Sequence, residues 1–209
     1  MNKNIQRKVI ELGGSFNGTD SATLVENILS IKIESPLYKK PSAKPWSDNP
    51  EPIYGLSDYV DHNIALYRPD KDLFYKNMIK HFFYKPEGNF SQTYLSQTLF
   101  TPFTQGTDDY EEWNDYFEDN DVNLNIYESC AVVEPLEFMI LTFNDGYPST
   151  KYICTSDTEI KNPMVFATDH TVFFSEVSQE GRLEGFLNTF MSKEEFLKIV
   201  KPQMEEHYQ

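Results

Sequence analysis

The chain has 209 residues, of which 39% are hydrophobic and 15% aromatic, and a formal net charge of −15. That apolar content supports a core and excludes wholesale disorder, and no run of about 18 apolar residues is present to cross a bilayer. The charge is uneven: residues 1–100 hold 12 Lys+Arg against 11 Asp+Glu, whereas residues 101–209 hold 6 against 22. A field of that sign disfavours nucleic acid and anionic membrane and attracts basic partners. Solubility alone is the competing reading.

Met1–Lys8 carries basic residues without a following apolar run, so no secretory signal is expected and a cytoplasmic location is. Ile5–Leu12 reads as a short amphipathic segment that ends at Gly13-Gly14. Asp20 or Ser21 then caps a helix to about Ile31, with Leu24, Val25, Ile28 and Leu29 at helical spacing. Pro36, Pro41, Pro45, Pro50 and Pro52 break regular structure, which makes 35–53 a loop or wrapping arm. Tyr59–Tyr67 reads as a strand. Asp70 caps a helix to about Tyr84, with Leu73, Phe74, Met78 and Phe82 on one face. Ser91–Phe100 alternates as a strand.

Thr107 caps a helix over Thr107–Glu118 whose first turn is crowded with acids, where the helix dipole favours them. Tyr110, Trp113 and Phe117 lie on one stripe of it and predict a core-facing side. Pro135–Phe143 fits either a helix or a fully buried strand. Strands are predicted over Lys151–Thr155, Met164–Ala167 and Thr171–Val177. A short helix spans Leu183–Phe190. Ser192 and Glu195 form a capping box for the last helix, which is predicted to run through about Lys201. The charge step near residue 100 divides an N-terminal α/β region, 1–100, from an acidic region, 101–209.

Several local patterns invite chemistry. Asp108, Asp109, Glu111, Glu112, Asp115, Glu118 and Asp119 make a dense acidic cluster, either a solvated face or a rim that docks Lys and Arg of a partner. Asp119-x-Asp121-x-Asn123-x-Asn125 opens like a calcium loop but has Leu124 where the sharp turn needs Gly and Cys130 where a bidentate Glu belongs, so no calcium site is expected. Gly13–Thr19 is Gly-rich ahead of a helix but lacks a Lys-Ser/Thr pair for a phosphate loop. Asp169-His170 is the one acid–base pair that a hydrolase would use, and it reads better as a hydrogen-bonded turn. None of the four histidines has metal-ligand spacing. Cys130 and Cys154 are too few for a disulfide framework and read as buried thiols, with a bond between them as the alternative. No cofactor, metal or catalytic residue is expected.

Pro135-Leu-Glu-Phe-Met-Ile-Leu-Thr-Phe-Asn-Asp-Gly146 resembles the "Pro-x-x-aromatic … Asn-Gly" segment of the SUKH superfamily, which includes fungal cell-wall-assembly regulators and bacterial toxin-immunity proteins. Tyr152–Asp157, Asn162–His170, Phe173–Glu176 and Gly181–Phe190 are similar to its strand series and closing helix. The resemblance covers about 105–200. It implies an α+β fold with a central, largely antiparallel sheet and helices packed mainly on one side, and makes Pro135–Phe143 a helix. It also implies binding rather than catalysis. The leading expectation is therefore a non-catalytic immunity protein that neutralises a basic, nuclease-type toxin through the acidic cluster. The alternative is a regulatory or scaffold adaptor that binds through 35–54, with Tyr38, Trp46 and Tyr54 as anchors.

Overall fold

A computed structural model describes residues 2–18, 21–32, 37–40, 53, 55–84, 93–119, 122–128, 130, 136–144, 149–169, 171–172 and 174–208. Of residues 21, 22, 116, 118 and 119 only the backbone is described. Most of the proline-rich arm, with Trp46 and Tyr54, lies outside this set, as does His170. The chain divides into two compact units, 1–33 with 89–188 and 34–88 with 189–209. The charge step near residue 100 falls inside the first unit, at the end of a strand.

The first unit is built on five antiparallel strands in the order β1 (Thr93–Phe100), β2 (Phe138–Asn144), β3 (Ser149–Cys154), β4 (Met164–Asp169) and β5 (Ser178–Arg182). With the helices of both units this is the expected α+β fold. The apolar run that the resemblance makes a helix is the strand β2. Of its seven residues, Phe138, Met139, Ile140 and Thr142 pair on both sides, Phe138 with Phe100 and Cys154, Met139 with Leu99 and Ile153. Alternation then sends Phe138 to one face and Met139 and Leu141 to the other, and all three are buried. The unbroken apolar stretch Phe138–Leu141 suits a strand buried on both faces.

One face of the sheet carries Phe100, Phe138, Tyr152, Cys154 and Phe166, which cluster with Tyr127, Cys130 and Phe174. The helix α5 (Asp108–Asp119) closes over this cluster with Trp113 and Phe117. The other face carries Met139, Leu141, Ile153 and Val165, all at most 1% exposed. Three helices of this unit supply further buried apolar residues: α1 (Lys3–Glu11), α2 (Ser21–Leu29) and α6 (Leu183–Asn188). α6 lies against β4 and α1. Gly14 lets α1 and the end of α2 approach, because a Cβ there would stand 2.8 Å from Val9 Cγ1 and 2.9 Å from Ile31 Cγ1.

The described residues of Thr171–Val177, predicted as a strand, form turns instead. Ser175 N–H donates to Val172 O at 2.8 Å, and Phe174 takes a left-handed φ of 59°. Thr168 Oγ1 holds the segment by accepting from Phe174 N–H at 3.0 Å and donating to Glu176 O at 3.1 Å. The gain is placement of the Phe174 ring among Phe100, Phe103, Phe117, Phe138 and Tyr152. The fifth strand instead forms from the polar Ser178–Arg182. A polar strand at a sheet edge discourages pairing with other chains.

The second unit packs three helices, α3 (Leu56–Tyr67), α4 (Lys71–Tyr84) and α7 (Lys193–His207), around an aromatic core. α3 replaces the strand predicted over Tyr59–Tyr67. Leu56, Tyr59, Val60 and Tyr67 are buried and fall on one helical stripe. Tyr and Val favour strands by propensity, and burial on this stripe overrides it. α7 continues past Pro202 to His207, beyond the predicted end, because Met204 is anchored in the core at 0% exposure. The capping box is present: Ser192 Oγ accepts from Glu195 N–H at 3.2 Å, and Glu195 Oε2 accepts from Ser192 N–H at 2.9 Å. Glu195 also pairs with Lys40 Nζ at 2.7 Å. Ser192→Ala is expected to cost about 1 kcal/mol, read as a lower urea midpoint of the helical signal; an unchanged midpoint would mean that packing alone fixes α7.

A candidate protein-binding surface

α5 begins where the sequence predicts. Thr107 Oγ1 accepts from Tyr110 N–H at 3.2 Å, which makes Thr107 the cap. Asp108, Glu111, Glu112 and Asp115 are exposed. Their spacing of i, i+3, i+4 and i+7 places all four on one stripe. Trp113 and Phe117 lie on the opposite stripe, stacked with ring centroids 6.3 Å apart, and Phe117 meets Phe103 at 4.9 Å. The sheet thus fixes the helix by its apolar side and turns the carboxylates outward.

Asp109 does not belong to that rim. It is half-buried, and its Oδ2 accepts from Thr101 N–H at 2.8 Å and from Thr101 Oγ1 at 3.0 Å. It ties the start of α5 to the end of β1. The side chains of Glu118 and Asp119 lie outside the described residues.

The negative field also divides unevenly between the two units. The unit 1–33 with 89–188 holds 7 Lys+Arg against 21 Asp+Glu, a balance of −14; the unit 34–88 with 189–209 holds 11 against 12, a balance of −1. The acidic unit also has a shallow cleft of about 300 Å³ whose lining includes Asp169, Glu176, Glu180 and Lys151. Lys151 is already paired with Glu180 at 3.2 Å. This surface offers carboxylates to a cationic partner in more than one place.

The other sequence patterns have local structural roles. In the Gly-rich loop, Ser15 N–H donates to Ser30 Oγ at 2.7 Å and Asn17 N–H to Asn27 Oδ1 at 2.7 Å, so these amides are taken by α2 and its end. In the calcium-like segment, Asn123 caps a 3-10 turn, Leu124–Tyr127, and its Oδ1 accepts from Asn125 N–H at 3.1 Å. Among the described residues no group of three or more His, Cys, Asp or Glu side chains is arranged to hold a metal ion. Asp169 Oδ1 accepts from Thr171 N–H at 2.8 Å, an Asx turn of the kind predicted for that pair. Tyr38, an expected anchor for the adaptor reading, packs inside its own unit against Phe82, Phe83 and Phe196 at 5.8, 5.6 and 6.4 Å.

Sequence reasoning did not single out a buried polar group beneath α5. Tyr127 and Tyr152 share a hydrogen bond between their hydroxyls at 2.7 Å. Burial pushes both phenols well above their ordinary range, so both stay protonated. Cys130 and Cys154 are both buried and are not joined by a disulfide. Asp157 is buried, with Oδ1 accepting from Glu159 N–H at 2.7 Å and Oδ2 from Met164 N–H at 2.9 Å.

Comparison with known proteins gives no match, whether to a family model, a curated protein or a solved structure. Among the described residues no helix is long and apolar enough to cross a membrane.

Proposed function

We propose that the protein is a non-catalytic binding protein whose acidic unit docks a basic protein, in the manner of an immunity protein that occludes a nuclease-type toxin. The observation that carries this is the exposed stripe of Asp108, Glu111, Glu112 and Asp115 on a helix anchored from below. Like charges packed at this density repel one another, which costs stability unless a cationic partner relieves it. Anchoring on the aromatic cluster means little ordering remains to be done on binding. A nuclease must be basic to hold phosphate, so a complementary surface would speed encounter and cover the substrate site.

The test is affinity capture from the source cells at low and high salt. A basic protein bound at low salt and released at high salt, with nuclease activity that the purified chain suppresses at equimolar ratio, is the expected result. Capture of a neutral protein that is indifferent to salt would overturn the reading.

A further inference from the structure

Cys154 ends β3, and Cys130 pairs across an antiparallel bridge with Asp157. Asp157 N–H donates to Cys154 O at 3.3 Å. Cys130 therefore lies across the turn that Cys154 opens. Both belong to the aromatic cluster beneath α5. Ser156 Oγ stands 3.2 Å from Cys154 Sγ, and Ser156 is itself partly exposed, so this sulfur lies one side chain below the surface. The chain holds two cysteines in all, and the fold brings them together from positions 24 apart in sequence.

We propose that Cys154 and Cys130 are a peroxide-responsive thiol pair, in which Cys154 attacks and Cys130 resolves to give an intramolecular disulfide. The assignment of roles follows from the surroundings. Cys154 takes hydrogen bonds from Cys130 and from Ser156, which outweigh its burial and hold its thiol down at about 7. The Tyr127 and Tyr152 hydroxyls remain neutral and leave the thiolate as the nucleophile. In the first step the Cys154 sulfur attacks one oxygen of hydrogen peroxide. The O–O bond breaks, water leaves after protonation, and Cys154 becomes a sulfenic acid. In the second step the Cys130 sulfur attacks the Cys154 sulfur, the S–O bond breaks, and the departing hydroxide takes the Cys130 proton to leave as water. Two thiols are oxidised by two electrons, and one peroxide is reduced to two waters. The bond would tether the chain that leaves α5 to strand β3. This inference stands independently of the docking reading.

The test uses the full reduced chain and hydrogen peroxide, with intact mass and peptide mapping under denaturing, non-reducing conditions. The expected product has lost two hydrogens, has lost both alkylatable thiols together, and yields one cross-linked peptide pair containing Cys130 and Cys154. Reductant restores the starting mass. Cys130→Ala is expected to accumulate a sulfenic acid on Cys154 that dimedone traps, whereas Cys154→Ala leaves Cys130 unmodified at the same dose; circular dichroism checks that both variants fold. Should either variant fail to fold, the wild-type product decides alone. Oxygen added to either cysteine without the cross-link would overturn the proposal. So would a disulfide between chains, or thiols that react only after urea unfolds the protein.

Discussion

Changing Asp108, Glu111, Glu112 and Asp115 together to lysine is expected to weaken binding of the basic partner at least ~100-fold while leaving the fold intact. Each reversal adds two units of charge, so the net charge moves from −15 to −7. The effect on binding is large because four attractions become four repulsions on one stripe. The effect on the fold is small because these side chains face solvent, and exposed pairs contribute little to stability. Relief of like-charge repulsion along α5 even favours an unchanged or slightly higher urea midpoint. Asp109 is deliberately left in place. Its two bonds to Thr101 hold the start of the helix, so its replacement would confuse loss of fold with loss of docking. Binding by isothermal titration at low salt, with circular dichroism as the control, checks both halves of the prediction.

Asp157→Ala is expected to destabilise the acidic unit by about 3 kcal/mol. The carboxylate is buried at 3% exposure and accepts from the backbone of Glu159 and Met164. Arg182 Nη1 stands 3.9 Å from Oδ2. Removing the carboxylate leaves two backbone donors without an acceptor in a buried turn, which costs the desolvation of each. It also loosens the entry to β4, since Met164 is the first residue of that strand. Asp157→Asn keeps an acceptor oxygen for one of the donors and is expected to cost roughly half as much. Urea denaturation followed by circular dichroism separates the two variants; equal midpoints for both and for wild type would show that the turn is held by its neighbours.

The sequence was most informative where one physical signal acts alone. Asp70 lies at the start of α4, where its Oδ1 accepts from Leu73 N–H at 2.9 Å; Thr107 and Ser192 cap their helices in the same way. Short polar side chains at helix starts satisfy amides that nothing else reaches, so they are legible without tertiary context. The readings that failed are those in which packing decides. Tyr59 and Val60 look like strand residues until the helical stripe from Leu56 to Tyr67 is buried against α4. Phe138–Phe143 could not be settled by periodicity, because a strand buried on both faces has none. Phe174 adopts a conformation that a sequence gives no reason to expect, and only the five rings around it explain the gain.

The candidate surface was legible in the same uneven way. Composition located the acidic helix, and helical spacing separated Trp113 and Phe117 from the carboxylates. It did not identify Asp109 as an internal tie, because Thr101 lies on the preceding strand end rather than on α5. Nor did it show that the charge belongs to one compact unit, since that unit is assembled from two stretches of chain. For Cys130 and Cys154 the sequence left buried thiols and a bond between them both open, because their placement depends on the bridge from Cys130 to Asp157.

The salt dependence of affinity between the purified chain and its captured partner tests the central claim most directly. Docking through the acidic stripe predicts an affinity that falls steeply as salt rises from low to physiological levels and beyond, with the fourfold lysine variant weak throughout and nearly flat. An affinity that does not change with salt, and that the variant retains, would contradict it.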